Sequence, residues 1–300
     1  MMISILGANS FIGNNLFSFF SSHEIIKVSL RQTDWSSQIK YSEILINLIG
    51  KAHDHQNLAT EQEFFYVNVS LTKDIFNEFI NSEAKLLIHV SSLAALEEFE
   101  SIKPLDEEEK CNPNSWYGKS KLEAELWLMN QNIPPHKKII ILRPPMIHGV
   151  GDKGNLGLLY KLISKGIPYP LSSFKNKRSF LSIDNFNFFI EKIVQNYESL
   201  DSGIYHVADD ESLSTNELIS VIKKVENKSI INLAFPKFVI KGIAIIGDYI
   251  PIPLNSIRLK KMTSDLEVSN QKIKTALGID KLPLTAEAGL IKTIKSFKNK

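Results

Sequence analysis

The feature that most constrains the fold is a regular alternation of short apolar runs with longer amphipathic segments. Strands that alternate with helices and are apolar on both faces are typical of a parallel sheet covered by helices on both sides. We therefore predict the α/β class, with a doubly wound parallel sheet. The apolar runs predict strands at 3–6, 25–30, 44–49, 85–91 and 138–142, and the segments between them predict helices at 11–20, 61–80 and 115–131.

The regular alternation of predicted strands and helices ends after Arg143, where prolines and glycines interrupt the chain. We therefore predict one domain over residues 1–150, to which 180–208 return, and a smaller α/β lobe over 151–300. Within the second half, helical patterns recur at 185–195, 215–225, 271–276 and 285–297, and an apolar run predicts a strand at 204–208.

Composition narrows the classes of function. With 43% hydrophobic and 23% charged residues, the 300-residue chain is typical of a globular protein, and its net charge of +2 gives no reason to expect nucleic-acid binding. A single cysteine, Cys111, and no signal-peptide pattern lead us to expect a reducing cytoplasm. The most apolar stretch, 238–254, is interrupted by Lys241, Asp248 and two prolines, so we expect no membrane span.

The first predicted strand runs into a glycine-containing turn that could hold a phosphate. In this turn Gly7 permits a tight bend, Gly13 lets the following helix pack closely on the sheet, and the helix N-terminus faces the ligand. Ser10 stands where a glycine would give a phosphate the closest access. A small-residue turn without a ligand remains the alternative. The turn reads Gly7-Ala8-Asn9-Ser10-Phe11-Ile12-Gly13.

The end of the second strand bears on the choice of cofactor. A carboxylate there would bind the adenosine ribose hydroxyls of NAD, whereas an arginine could pair with the 2′-phosphate of NADP. The sequence has Arg31 at this tip and its first carboxylate at Asp34. Arg31 therefore favours NADP over NAD, with a solvated loop arginine as the alternative.

A serine, a tyrosine and a lysine could carry acid–base chemistry. Tyr117 and Lys121 lie a turn apart on one face of the third predicted helix, so the ammonium could favour the phenolate and lower the tyrosine pKa. Ser92 follows the fourth strand, and open α/β sheets place ligands at the carboxyl ends of their strands. A hydroxyl at this point could hydrogen-bond the oxygen that gains or loses the proton.

Taken in order, these motifs resemble the extended short-chain dehydrogenase/reductase family, in its branch of nucleotide-sugar epimerases, dehydratases and 4-keto-reductases. The resemblance covers essentially the whole chain and implies a Rossmann-type sheet with a smaller C-terminal substrate lobe. Ser92 and Tyr117 are 25 residues apart, a spacing that suits the family. Further segments similar to family motifs are 47–53, 68–72, 142–149 and 178–184.

The resemblance also implies roles for individual residues. Tyr117 would be the acid–base residue, Lys121 its electrostatic and ribose-binding partner, and Ser92 the donor to the substrate oxygen. The substrate, a nucleotide-diphosphate sugar, would be bound by Ser92, Asn155, Arg178 and, more weakly supported, Arg258. The cofactor would contact Gly7, Asn9, Ser10, Phe11, Ile12, Gly13, Arg31, Leu48, Gly50, Lys51, Asn68, Tyr117, Lys121 and Pro144.

One departure from the family narrows the reaction. The 4,6-dehydratases of the branch have an Asp-Glu pair after the active-site hydroxyl, but Ser92 is followed by Leu93-Ala94-Ala95. We therefore expect hydride exchange at C4 of the sugar, by a 4-keto-reductase or a 4-epimerase, in the synthesis of surface polysaccharide. The Arg31 interpretation suits the reductase, which turns over its cofactor. A catalytically idle dinucleotide-binding scaffold or sensor is the alternative outside catalysis.

Two further predictions concern assembly and metals. Apolar residues form two stripes on the 61–80 helix, wider than contact with one sheet requires, and the family often pairs this helix with the Tyr117 helix in a four-helix bundle. We predict a homodimer, with burial inside one chain as the alternative. His53 and His55 have no third ligand at suitable spacing, so we predict no metal site.

Overall fold

The chain folds around a six-stranded parallel sheet in the order β2-β1-β3-β4-β5-β8, and a two-stranded parallel pair, β6-β7, lies outside it. A computed structural model describes residues 1–52, 59–152, 154–166, 169–227, 235–250 and 254–298. The strands are β1 (Met2–Leu6), β2 (Glu24–Val28), β3 (Ile44–Asn47), β4 (Leu86–Val90), β5 (Lys138–Arg143), β6 (Met146–His148), β7 (Phe180–Ser182) and β8 (Gly203–His206).

The helices cover both faces of the sheet and build the second lobe. Hydroxyl side chains start several of them, because an oxygen at the cap accepts a backbone N–H that has no partner within the helix. Ser10, Thr60, Ser115, Ser182 and Ser214 all accept in this way. The helices are α1 (Phe11–Phe19), α2 (Trp35–Ile39), α3 (Glu61–Phe65), α4 (Leu71–Asn81), α5 (Trp116–Met129), α6 (Asn155–Ser164), α7 (Ile183–Asn196), α8 (Thr215–Glu226), α9 (Lys237–Gly247), α10 (Ser256–Thr263), α11 (Gln271–Leu277) and α12 (Ala286–Lys298).

Four apolar cores are found among the described residues. On one face of the sheet, side chains of β1, β3 and β4 pack with α1 and α7. On the other face, the alternate side chains of the same strands pack with α2, α4 and α5. A third core joins α6, α8, α9 and α12, and a small fourth one joins Leu93 and Leu96 to Leu266 and Val268. Because both faces of the sheet are covered, the central strands β1, β3, β4 and β5 are mostly apolar, whereas the edge strand β2 has two exposed charged residues.

The predicted α/β fold class, a Rossmann-type doubly wound sheet, is confirmed, and each predicted strand and helix occurs near its expected position. Helices α2, α6, α9 and α10 and strand β6 were not predicted, whereas β7 lies within 178–184, the segment similar to a strand of the family. Residues 61–80 were predicted as one regular helix, but a π-helical turn, Tyr66–Ser70, separates α3 from α4. The division into a domain over 1–150 and a lobe over 151–300 stays a prediction.

The apolar 238–254 stretch contributes α9, and no helix in the described part of the chain is long and apolar enough to cross a membrane. His53 and His55 lie outside the described residues, and the described residues contain no cluster of ligands suited to a metal ion.

The sheet topology locates a crevice. The chain leaves β1 in one direction to form β2 and returns to the other side of β1 to form β3. In open α/β sheets, ligands bind beyond the carboxyl ends of the strands where the order reverses in this way. The Gly7 turn follows β1 and the segment from Leu48 to Lys51 follows β3, so both lie at this switch point.

Candidate active site

The turn after β1 has the geometry of a phosphate cradle. Gly7 has φ = +85°, a conformation that favours glycine, and a Cβ at Gly13 would lie 2.6 Å from the Ala8 carbonyl oxygen. Ser10 occupies the middle glycine position of this turn, and it has a structural role. Ser10 caps α1, and its hydroxyl accepts the Gly13 N–H at 3.0 Å. Asn9 and Ser10 are exposed at the edge of the crevice.

The segment after β3 is held by a residue of the π-helical turn. The Asn68 side chain accepts the Lys51 N–H at 2.8 Å and donates to the Lys51 carbonyl at 3.2 Å and to Ser120 Oγ at 2.8 Å. A π-helical turn inserts a residue into a helix and is frequent at functional sites. Here it lies between α3 and α4 and includes the fully buried Asn68, which ties the loop after β3 to α5.

Ser92, Tyr117 and Lys121 come together at the carboxyl end of β4. Ser92 begins the turn that follows this strand, and its side chain is hydrogen-bonded to the Tyr117 hydroxyl. Lys121, on the second turn of α5, is buried and donates to the Val90 carbonyl at 3.0 Å. A Cβ at Gly50 would lie 3.0 Å from Lys121 Nζ, so the loop after β3 passes directly over the ammonium group. The structure therefore places all three side chains beside the crevice.

Burial is the largest influence on the ionisation of Tyr117. It raises the pKa of this residue, the hydrogen bond with Ser92 opposes this change, and the charges of Glu98 and Glu125 raise the pKa further. A lowering of the tyrosine pKa by Lys121 together with the positive charge of an oxidised nicotinamide stays a prediction. Burial also lowers the pKa of Lys121 to about 8, against the opposing effect of Glu125.

Hydrogen bonds to Glu98 hold the start of α5 against the turn that begins at Ser92. Glu98 Oε1 accepts hydrogen bonds from Asn114 N at 3.2 Å, Ser115 N at 2.8 Å and Ser115 Oγ at 2.7 Å. Gly118 allows this close approach, because a Cβ there would lie 2.5 Å from Glu98 Oε1 and would overlap the Ala94 carbonyl oxygen. These contacts fix the position of Tyr117 relative to Ser92.

A buried ion pair lies behind the three side chains. Glu125 is on the same face of α5 as Tyr117 and Lys121, and it receives Arg143 Nη2 at 2.6 Å and Arg143 Nε at 3.0 Å. It also accepts a hydrogen bond from the Ser91 hydroxyl. The sequence analysis missed Glu98 and Glu125. The spacing of Glu125, four residues after Lys121 and eight after Tyr117, was the available signal.

The remaining cofactor candidates line the same edge of the sheet. Leu48 N donates to the Leu6 carbonyl at 2.9 Å, which continues the β1-β3 pairing into the loop. Pro144 lies beside the Ser92 turn, because its carbonyl accepts the Leu93 N–H at 2.8 Å. Phe11 and Ile12 open α1, and Arg31 is exposed three residues after β2.

Apart from Ser92, the predicted substrate residues come from the part of the chain that follows β6. Arg178 Nη1 donates to the carbonyls of Ser264 at 3.2 Å and Phe99 at 3.4 Å, and burial lowers its pKa. Arg258 lies on α10, and its backbone N–H is capped by Asn255 at 2.8 Å. Asn155 is the first residue of α6, and its side chain lies outside the described part.

A cavity of about 360 Å³ lies between the loop before α5 and the start of α10. It is not the cleft for a diphosphate, since two carboxylates, Glu97 and Glu100, line it and one of them already pairs with Lys260 at 2.9 Å. Ser92, Tyr117 and Lys121 are not among its lining residues.

Comparison with known proteins agrees with this geometry. A model of the "NAD dependent epimerase/dehydratase family" matches residues 3–208. A UDP-glucose 4-epimerase from Vibrio cholerae is 27% identical over 98% of this chain and 95% of its own length. An N-acetyl-α-D-glucosaminyl-diphospho-ditrans,octacis-undecaprenol 4-epimerase from Escherichia coli O157:H7 is 24% identical over 98% of this chain and 94% of its own length.

The fold has a match among solved structures over its full length. A UDP-glucuronic acid 4-epimerase from Bacillus cereus, in complex with NAD, superimposes with a TM-score of 0.79 at 16% identity. The match covers 100% of this chain and 99% of that one.

Proposed function

The chain belongs to the NAD dependent epimerase/dehydratase family, and from that premise we propose that it epimerises a nucleotide-diphosphate sugar at C4. The observation that carries the proposal is the cluster of Ser92, Tyr117 and Lys121 beside Gly50, at the switch point of the sheet. A phenol, an alcohol and an ammonium group at this point suit proton exchange with a sugar hydroxyl.

The residues at the crevice fit a dinucleotide. The left-handed Gly7 and the tightly packed Gly13 shape a turn at a helix N-terminus, and a Cβ on Gly50 would fill the space next to Lys121 Nζ. A bound nicotinamide dinucleotide would supply hydride exchange with C4 of the sugar. Lys121 would hold the nicotinamide ribose and keep a positive charge beside the tyrosine.

The protein's own side chains accept and return the proton of the C4 hydroxyl. Tyr117 Oη takes this proton as the carbonyl forms and gives it back as the carbonyl is reduced. Ser92 donates to the same oxygen and, through its bond with Tyr117, keeps the phenol aimed at it. Burial raises the pKa of Tyr117, so its phenolate forms only when positive charge is nearby. Lys121 supplies one such charge, and the bound cofactor would supply the other.

Reduction of a 4-keto sugar is the second candidate, and the observation that favours it is Arg31. Arg31 is exposed just beyond β2. This strand lies next to β1, which precedes the phosphate turn, so a 2′-phosphate of NADP would lie near Arg31. Dehydration is not proposed, because Leu93-Ala94-Ala95 supply no carboxylate after Ser92.

The substrate side of the proposal rests on the second lobe. Arg178 offers a guanidinium whose planar fork suits a diphosphate, and Asn155 and Arg258 are the further candidates. The relatives named above carry their sugars on two different diphosphate carriers, a nucleotide and a polyprenol. Both carriers therefore belong in the assay.

The test is a pair of matched variants. Tyr117→Phe should retain cofactor affinity by calorimetric titration and lose turnover by at least about 100-fold, since acid–base groups contribute roughly 10²–10⁴-fold. Tyr66→Phe, on the exposed side of the π-helical turn, is the control and should keep full activity. The substrate panel contains UDP-hexoses, their 4-keto forms and a polyprenol-diphosphate sugar.

The outcomes separate the candidates. Interconversion of two sugars without net cofactor consumption supports the epimerase. Stoichiometric oxidation of NADPH supports the reductase, and loss of NADPH affinity in Arg31→Gln would assign the 2′-phosphate contact. Dinucleotide binding without turnover of any sugar in the panel would instead support the idle scaffold or sensor.

Assembly and location complete the proposal. Most of the predicted dimer stripes are covered inside the chain, because Ile75, Phe76 and Phe79 are buried against the sheet. Tyr66 and Leu126 remain exposed where α5 lies beside the α3–α4 segment, and we retain a homodimer through this face. We also retain the cytoplasm and surface polysaccharide synthesis as the setting.

A further inference from the structure

Helix α9 is apolar on nearly every side but is packed on only one. Ile240 and Ala244 are buried against the core of the second lobe. The other faces project outward, with Phe238 at 76%, Tyr249 at 87%, Ile245 at 55% and Ile246 at 53% exposure. A helix that is apolar all round is normally buried in a protein or a membrane. We call the surface formed by Phe238, Ile243, Ile245, Ile246, Tyr249 and Ile250 the α9 surface.

The size of the α9 surface exceeds that of an incidental patch. An aromatic side chain covers about 150–250 Å² when buried, so the exposed parts of Phe238 and Tyr249 alone amount to roughly 250–400 Å². Four half-exposed isoleucines add to this area. The largest apolar patch on a typical monomer is roughly 300–600 Å², and larger ones mark protein or membrane contacts.

The lysines of α9 indicate what covers the α9 surface. Between residues 235 and 263 the sequence has five basic residues and one acidic residue, Asp248, but Lys260 and Lys261 already pair with Glu100 at 2.9 Å and with Glu98 at 3.8 Å. The Asp248 carboxylate is occupied by Ser256, which donates its N–H at 2.9 Å and its hydroxyl at 2.6 Å. Lys237 begins α9, and Lys241 lies between Phe238 and Ile245 on the outward face. No described carboxylate pairs with either lysine.

This pattern fits an anionic bilayer better than a second copy of the chain. Two copies meeting through the α9 surface would bring Lys241 against an equally basic, apolar surface whose one carboxylate is already bonded. At a bilayer, lysine side chains extend to the anionic headgroups while apolar side chains enter the acyl boundary. Phe238 and Tyr249 are exposed, and aromatic side chains are typical of the apolar face of an interfacial helix.

We propose that α9 is an interfacial helix that docks the protein on an anionic lipid surface. The helix has 11 residues, about 16 Å of length, so it lies in the plane of the headgroups and does not cross the bilayer. The hydrogen bonds of Asp248 to Ser256 connect it to α10, whose Ile257 lines the cavity described above and is 58% exposed. This docking requires only the charge and apolar surface, so it stands or falls independently of the reaction proposed above.

The experiment is flotation of the full chain with vesicles. Vesicles of phosphatidylcholine with about one quarter phosphatidylglycerol should carry the protein upward, and pure phosphatidylcholine should carry much less. Phe238→Ser/Ile245→Ser should reduce binding by about tenfold or more through lost apolar contact. Lys237→Gln/Lys241→Gln should reduce it by about fivefold for each lysine, and raised salt should have the same effect.

Two controls keep the test decisive. Tyr41→Ser removes a 60% exposed tyrosine just after α2, far in sequence from α9, and should bind vesicles like the unaltered chain. All variants should keep the circular dichroism spectrum and melting temperature, since the altered side chains are exposed. Absence of vesicle binding, or equal binding by the α9 variants and the control, would overturn the proposal. So would light scattering that shows the α9 surface joining two copies in vesicle-free solution.

Discussion

Replacing Glu125 with glutamine should destabilise the fold strongly while leaving its shape unchanged. Glu125 and Arg143 are 0% and 2% exposed, and the carboxylate receives two guanidinium nitrogens and the Ser91 hydroxyl. Glu125→Gln keeps the volume but leaves a buried guanidinium without its counter-charge, a change that costs about 3–5 kcal/mol. With an unfolding entropy of about 2.1 cal/mol/K per residue over 300 residues, Tm should fall by about 5–8 °C.

The assay is scanning calorimetry at neutral pH with two comparison variants. Glu125→Leu/Arg143→Met removes both charges and should be less destabilised than the single variant, because an apolar pair of similar volume replaces the buried ions at little net cost. Glu287→Gln breaks the exposed 3.6 Å pair with Lys224 and should change Tm by less than about 2 °C. A loss in Glu125→Gln no larger than that of this surface control would refute the reasoning, as would a double variant that is less stable than Glu125→Gln.

Three further predictions test packing and protonation. Gly13→Ala places a Cβ 2.6 Å from the Ala8 carbonyl and should weaken dinucleotide binding by about tenfold or more in calorimetric titration, whereas Gly203→Ala, with open space, should bind normally. Gly118→Ala should lower kcat by about 10–100-fold with little change in dinucleotide affinity, because the added Cβ shifts the start of α5 away from the Ser92 turn. A wild-type kcat in this variant would contradict the close packing of Gly118. Burial lowers the pKa of His148 to about 4, so the unfolded chain takes up its proton first and stability should fall by up to about 3 kcal/mol from pH 6.5 to 4. Urea titrations of His148→Asn should show a shallower pH dependence, and an unchanged slope would rule out this residue as a cause.

The sheet was predictable because strands that are buried on both faces are short apolar runs, which can be recognised in the sequence. The central strands β1, β3, β4 and β5 are mostly apolar runs, and the turn at Gly7 marks where the first one ends. By contrast, β6 and β7 have three residues each and pair only with one another, which is too short for a periodic signal. Helix α9 was not predicted because most of its residues are apolar, so the 238–254 stretch was weighed only as a membrane span.

The candidate site was predictable where chemistry fixes residue type and sequence spacing fixes geometry. Tyr117 and Lys121 are a helical turn apart, and Ser92 follows a strand, so their positions relative to the sheet follow from local structure. The contribution of Asn68 depends on a π-helical turn, which no hydrophobic period encodes. Glu98 reaches the start of α5 across 17 residues of loop, a contact that exists only after folding.

The position of Glu125 explains how a buried lysine keeps its charge next to a half-buried tyrosine. Burial alone drives the pKa of Lys121 down, and the Glu125 carboxylate holds it at about 8, so the ammonium form prevails at neutral pH. A lone carboxylate would itself be costly at full burial, and Arg143 supplies its counter-charge. Around Tyr117 the two cations, Lys121 and Arg143, are therefore balanced by two carboxylates, Glu98 and Glu125, both of which raise the tyrosine pKa. The net positive charge that a developing phenolate requires thus has to arrive with the cofactor.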